Sequence, residues 1–269
     1  FIGFVQGGWV LVHSGTLVQL GDLKSLPAVF TLVGVVAIGV LLQREVTGAI
    51  FIGMLVVSLL GIPFGLVEFS GVISSPPDLT PTLLKMDLTG ALDLGVLTII
   101  GVFVFVDLFD TAGTLIGVGQ QGGFVKYGKL PRVNRALMPD AVATTAGAAF
   151  GTSTVTCYIE SSTGIAEGGR TGLTSVVTAC LFLLALFFAP LVRTIGGGYV
   201  VSETTFYPIT APVLIIVGCL MARNLVHINW RQWDEALPSY LIVVGMPLTF
   251  SIADGMALGF ISYPLIKLF

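Results

Sequence analysis

An all-α polytopic membrane protein is the fold class that this sequence predicts, and three observations predict it. Only 10% of the 269 residues are charged and 55% are apolar, with a mean hydropathy of +0.98; a soluble domain carries about 25% charged residues. The apolar residues gather in charge-free runs at 26–42, 46–67, 171–192 and 204–222. Each run is at or near the roughly 20 residues that cross about 30 Å of hydrocarbon at about 1.5 Å per residue. A few carboxylates stand inside otherwise apolar stretches, where a bilayer tolerates them only for a reason.

Composition also excludes. The net charge of −3 is spread over few residues, and no Lys/Arg run suits nucleic acid. Cys157, Cys180 and Cys219 lie far apart in apolar context and read as small packing residues. His13 and His227 fall in expected loops with no cluster around them, so neither a metal nor a cofactor is expected.

Taken in order, the chain predicts a truncated span near 1–12 and spans near 26–42 and 46–67. A Pro/Ser-rich loop follows at 74–90, then a span near 93–118 and a basic loop, KYGKLPRVNR, at 126–135. A helix rich in small residues is expected near 137–150, suited to close helix contact. Spans near 171–192, 206–222, 237–253 and 254–269 complete the chain, with a short interfacial helix at 229–236. Pro238, Pro247 and Pro264 predict kinks or boundaries. Apolar sequence at both ends suggests a piece of a longer membrane protein. Placing the 126–135 loop in the cytoplasm puts eight Lys/Arg on that side (Arg44, Lys126, Lys129, Arg132, Arg135, Arg170, Arg223, Arg231) against Lys24, Lys85 and Arg193. That is the positive-inside bias, and it leaves the 74–90 loop outside.

Two stretches break the apolar pattern. In GVFVFVDLFDTAGTLIGVG, Asp107 and Asp110 are three residues apart and Thr114 lies four beyond, so all three share a helix face. A carboxylate at mid-bilayer costs about 2.5–3.5 kcal/mol and usually faces a polar cavity, although bonding to a neighbouring helix for packing is the plainer alternative. In GTSTVTCYIESSTGIAEGGRTG, residues 151–172, the Thr/Val-rich part favours extended backbone and the part after it is too short and polar for a span. A short extended piece feeding a half-helix from about Tyr158 or Glu160 fits, and such breaks survive where they line a cavity. The half-helix start favours negative charge on Glu160 while desolvation opposes it, so this carboxylate suits binding and releasing a proton. Glu167 and Arg170 read as a pair closing the half-helix, and Asp140 as a cap at the start of its helix. Phe150 and Tyr158, beside the break, could stack on a flat ring.

FVDLFDTAGTLIGVG and RALMPDAVATTAGAAFGTSTVTCYIESSTGIAEGGRTGLTS, with the apolar blocks around them, resemble the nucleobase–cation symporters of the xanthine/uracil permease superfamily, in the AzgA-like adenine/guanine/hypoxanthine branch. The resemblance covers essentially the whole chain. It implies part of a 7+7 inverted-repeat transporter with core and gate domains and a short strand plus half-helix in the tenth span. Residues 1–67 would be gate spans five to seven and 68–92 an extracytoplasmic loop. Residues 93–192 would be core spans eight to eleven and 193–269 gate spans twelve to fourteen. The first four spans would be missing, and this piece should not transport alone.

The implied function is purine nucleobase:proton symport across the cell membrane, with a purine and a proton as partners and a homodimer through the gate domains as an assembly. The resemblance places substrate and proton-coupling acids at Asp110, in DTAG, and Glu160, in CYIESSTG, with Asp107 as a further coupling acid. Thr114, Tyr158 and Phe150 join the substrate site, and Asp140 and Ser161 support it. Two other functions compete. A carrier of another solute, such as an inorganic anion, is disfavoured because carboxylates repel anions. An intramembrane aspartyl protease needs two facing carboxylates, usually from separate helices, whereas Asp107 and Asp110 share one.

Overall fold

The computed structural model describes residues 1–269 apart from 14, 68, 70, 88, 91–94, 127–128, 202–203 and 269. The start of the span expected near 93 therefore lies outside the described residues. The chain is mostly helical, as its apolar runs predict, but it is not all-α. Where a truncated span was expected near 1–12, a short helix α1 (Ile2–Gln6) leads through Gly7 and Gly8 into an antiparallel hairpin of β1 (Val10–His13) and β2 (Leu17–Leu20). His13 closes its turn, Nδ1 accepting from the Gly15 and Thr16 amides at 3.1 Å each.

α2 (Leu26–Gln43) opens with Pro27 in its first turn, where no backbone donor is needed. α3 (Ala49–Gly61) ends in a 3₁₀ turn at Ile62–Phe64, which contains Pro63. Next come α4 (Val96–Gln121), α5 (Val133–Phe150) and the short α6 (Ser161–Ala166). α7 (Gly172–Ala185) runs through a 3₁₀ turn at Leu186–Phe188 into α8 (Ala189–Gly196). A second hairpin, β3 (Tyr199–Val201) with β4 (Thr204–Phe206), precedes the span expected from 206, whose helix begins only at Ala211. α9 (Ala211–Ala222), α10 (Trp233–Thr249) and α11 (Ile252–Leu268) follow. The expected interfacial helix at 229–236 is not separate: Trp233 to Ala236 form the first turn of α10. Pro238 and Pro247 lie inside α10, and Pro264 inside α11.

Among the described residues, three stretches are long and apolar enough to cross a bilayer: Leu26–Gln43, Val96–Gln121 and Gly172–Gly196. No residue in the most apolar window of the last is buried, and Leu173 and Phe182 are 71% and 70% exposed. Apolar surface on that scale is stable against lipid, not water.

The chain divides into two compact units, Phe1–Pro76 with Leu181–Phe269, and Pro77–Cys180. The larger unit has an apolar core of Phe30, Val57, Leu66, Val67 and Ile209, with Leu26, Met54, Ile195 and Tyr199 packed against it. α2 packs on α3 and α9, α9 on α1, and α10 on α11. Buried polar groups there are matched: the Trp9 indole N–H donates to the Ala28 carbonyl at 2.9 Å and the Ser58 hydroxyl to the Met54 carbonyl at 2.8 Å. The smaller unit packs α4 against α5 and α6. Its 77–90 loop is held by two aspartate turns. Asp78 accepts from the Thr80 amide and hydroxyl, and Asp87 from the Gly90 amide and Thr89 hydroxyl. These bonds hold both carboxyls below the usual carboxylate range, Asp78 chiefly through the Thr80 hydroxyl and Asp87 chiefly through the Gly90 amide. The turns are therefore complete at neutral pH and loosen as pH falls through those lowered values.

The α10–α11 pair depends on glycine for close approach. A Cβ at Gly255 would press on the Met246 side chain and lie 2.7 Å from its amide nitrogen and 2.8 Å from its Cα. Backbone cannot rotate away from that contact. Gly255→Ala is expected to destabilise the protein by about 1–3 kcal/mol. Gly39→Ala, on α2 with nothing within 4 Å of the added carbon, should be neutral or slightly stabilising. Thermal unfolding of both variants in detergent checks the pair, and equal midpoints would refute the close-contact argument.

Candidate functional site

The smaller unit buries the wrong kind of side chain for a simple core. Thr111 (0% exposed), Thr114, Asp140 and Ser162 are buried, with Ile165 beside them, while Leu97, Phe103 and Val142 face outward at 89%, 62% and 63% exposure. Polar groups inside and apolar groups outside is the arrangement of a membrane helix bundle around a polar site.

α4 supplies one wall. Asp107, Thr111 and Thr114 recur at i, i+4 and i+7 and so stack on one face. The Thr111 hydroxyl donates to Asp140 Oδ1 of α5 at 3.0 Å. Asp140 is not the helix cap expected for it: α5 begins at Val133, which puts Asp140 in the helix interior, directly after Pro139. Asp107 and Cys157 each interact through space with Asp110 and Asp140, so these four groups form one cluster from α4, α5 and the chain break.

The break is real, and it is built by specific contacts. α5 ends at Gly151 with φ at +78°, where a Cβ would meet the Thr82 side chain at 2.8 Å and its carbonyl at 3.0 Å. Only glycine fits there. Residues 152–158 are non-helical, but the short strand expected there is not formed: among the described residues they join no β-ladder. Instead the Thr144 hydroxyl of α5 donates to the Val155 carbonyl at 3.0 Å and accepts from its amide at 3.1 Å. One side chain thus satisfies both backbone groups of a residue that has no ladder.

The half-helix starts at Ser161, slightly later than the sequence suggested, with Glu160 as its N-cap residue. The Glu160 carbonyl accepts from the Thr163 amide at 3.0 Å and hydroxyl at 2.7 Å, which fixes the first turn. The Glu160 side chain makes no capping bond and is exposed. Tyr158 and Phe150 are also exposed, at 67% and 46%, as is Ser161. Asp110 is half-buried and Thr114 buried. The structure thus brings Asp107, Asp110 and Asp140 together and leaves Glu160, Tyr158 and Phe150 on open surface.

Sequence reasoning missed two members of this site. Thr111 was readable from its i+4 spacing to Asp107. Ser162, 1% exposed, was hidden behind its neighbour Ser161 because nothing in SST shows which hydroxyl turns inward. Among the described residues, Asp107 Oδ1 and Ser162 Oγ are the buried side-chain polar atoms without a hydrogen-bond partner. Leaving such an atom unpaired costs about 1–3 kcal/mol, more if charged. A separate cavity of about 400 Å³ opens on another face of α4, lined by Ala112, Leu115, Ile116, Gln120, Lys129 and Leu137 among others. It contains none of the expected site residues.

Thr111→Val keeps the shape of the side chain and removes the donor to Asp140. It is expected to destabilise the smaller unit by about 1–3 kcal/mol, and Thr111→Ser to recover most of the loss. Chemical unfolding of the purified variants measures both, and a Val variant as stable as wild type would show that the bond contributes nothing.

Comparison with known proteins identifies the family. A family model described as Permease family matches residues 1–258. The guanine/hypoxanthine permease PbuO of Bacillus subtilis is 44% identical over 271 residues, covering 99% of this chain and 61% of its own length. The adenine permease AdeQ of Escherichia coli is 43% identical over 267 residues, covering 99% of this chain and 58% of its own. A Methanocaldococcus jannaschii protein whose name places it among permeases is 48% identical over 271 residues, 100% of this chain and 60% of its own. The chain therefore spans about three-fifths of the length of the curated relatives it matches. These relatives are transport proteins rather than enzymes, and with the apolar helices they make this a multi-pass protein of the cell membrane. With a family match over nearly its whole length and a polar site inside an apolar helical unit, the chain belongs to the xanthine/uracil-type Permease family, alongside its adenine and guanine/hypoxanthine members.

Proposed function

We propose that the intact permease carries purine nucleobases across the cell membrane together with protons. The observation that carries this reading is the buried polar set of the smaller unit, where Asp107, Asp110 and Asp140 gather beside a broken helix. The names of its relatives, guanine/hypoxanthine and adenine permeases, supply the substrate class.

A purine presents ring N–H donors along one edge and two flat apolar faces. Carboxylates accept from those donors with charge-assisted bonds. Glu160, exposed at the start of α6, and Asp110, half-buried on α4, are the residues we assign to that task, with Thr114 beside them. Tyr158 and Phe150 offer the faces for stacking, and Asp140, Ser161 and the Thr111 bond support the acids. The substrate is neutral, so a proton is the natural partner for an acid that must lose its charge to pass through low dielectric. Asp107, Asp110 and Glu160 are the carriers we assign. In this reading residues 93–192 belong to the core domain and 1–67 and 193–269 to the gate, each drawn from an inverted repeat, and two copies pair through their gates. A carrier of inorganic anions fits poorly, because three clustered carboxylates repel the substrate.

The test is uptake of labelled adenine, guanine and hypoxanthine by cells lacking their own purine permeases, with and without a protonophore. Asp110→Asn and Glu160→Gln in the intact permease should each lower uptake by at least about tenfold at unchanged membrane level, and the protonophore should abolish wild-type accumulation. Undiminished, pH-sensitive uptake in both variants would overturn the assignment of these acids.

A further inference from the structure

Ser162 is a fully buried polar side chain in the unit that holds the acids, and unlike the equally buried Thr111 its hydroxyl has no partner among the described residues. Buried or half-buried hydroxyls in helices commonly bond back to a carbonyl one turn earlier. Ser58, Thr194, Thr249 and the adjacent Thr163 all do so in this protein. Ser162 does not: its hydroxyl is enclosed and unpartnered among the described residues.

α6 buries Ser162 and Ile165, which lie three apart on one face. α6 packs against α4, whose buried residues are Thr111, Thr114 and Gly119. On that same α4 face, one turn before Thr111, stands Asp107, whose Oδ1 is the other enclosed side-chain oxygen without a partner among the described residues. A donor lacking an acceptor and an acceptor lacking a donor thus lie on two helices that pack against each other.

We propose that Ser162 is a positioning residue acting through Asp107. Its hydroxyl donates to the Asp107 carboxylate when α6 seats fully on α4, and the bond is released when Asp107 takes up a proton. Seating of the half-helix, and with it the placement of Glu160 and Tyr158 at its start, then follows the charge on Asp107. The charged groups that act on Asp107 are Asp140 on α5 and Asp110 on α4, and both are acidic. Ser162 is therefore the neutral donor available to stabilise the carboxylate form from the α6 side. The inference rests on the transport reading and adds to it a residue that couples protonation to movement.

Counterflow of labelled hypoxanthine or adenine in proteoliposomes of the intact permease, with equal pH on both sides, tests it between about pH 5 and 8. Ser162→Ala removes the donor and disfavours the carboxylate, so the midpoint of the pH dependence should move up by about one unit. Ser162→Cys keeps the volume and is a weaker donor, so it should fall between Ala and wild type. If the Ala variant does not reach the membrane, the Cys variant decides alone by moving in the same direction. A pH midpoint unchanged in each variant that folds overturns the inference. Glu160→Gln run alongside separates the two levels. If it is inactive while the Ser162 variants keep the wild-type midpoint, only the role of Ser162 fails. If it exchanges purine like wild type, the transport assignment fails first.

Discussion

The smaller unit is organised around carboxylates on the packed faces of its helices, Asp140 buried and Asp107 and Asp110 half-buried. An ionised carboxylate moved from water to an apolar interior loses its hydration and must find donors or neutralise. Asp140 finds one in Thr111. Asp107, on the same α4 face as that threonine, has one enclosed oxygen that finds none. With Asp110 also within electrostatic range, a full set of negative charges would be self-repelling at low dielectric. The larger unit has no comparable tension. Its core is Phe, Val, Leu and Ile.

The broken segment meets a second constraint, that every backbone group at membrane depth needs a partner. Regular helix supplies partners automatically, whereas a break must supply them residue by residue. Here Gly151 ends α5 in a left-handed conformation, the Leu84 amide donates to the Ala149 carbonyl at 2.8 Å, and Thr144 satisfies both groups of Val155. The 77–90 loop thus does more than connect, because Thr82 and Leu84 close around the end of α5 and fix where the break begins.

Much of this was legible in the sequence, and the rest was lost for identifiable reasons. The long helices announced themselves because a 20-residue apolar run has one stable form in lipid: the run expected at 26–42 is α2, Leu26–Gln43. The break was legible because Thr-Val-Thr followed by polar residues cannot make a span. Asp107 and Asp110 stood out against Phe and Val. The hairpins at 10–20 and 199–206 were not legible, since alternating apolar residues next to a span look like its continuation. The position of Asp140 was missed because Pro139 looks like a helix start, yet α5 had already run two turns and carries that proline inside it. Ser162 was missed because three adjacent hydroxyls differ only in the direction each faces, which packing decides and composition does not.

Size then explains how a site of this kind can move. α6 has six residues, about 9 Å of helix, and among its described side chains Ser162 and Ile165 are buried. Burying one isoleucine contributes roughly 1.5–3 kcal/mol, which is small enough to be reversed thermally many times a second. A full transmembrane helix with a dozen buried residues would not shift so readily. The charge state of one enclosed carboxylate changes local electrostatics by an amount of the same order. In the proposed reading a proton is the switch for a short helix held by about that much free energy. Glu160 and Tyr158 sit at its start, on open surface, where a small displacement would be felt first by a bound ring.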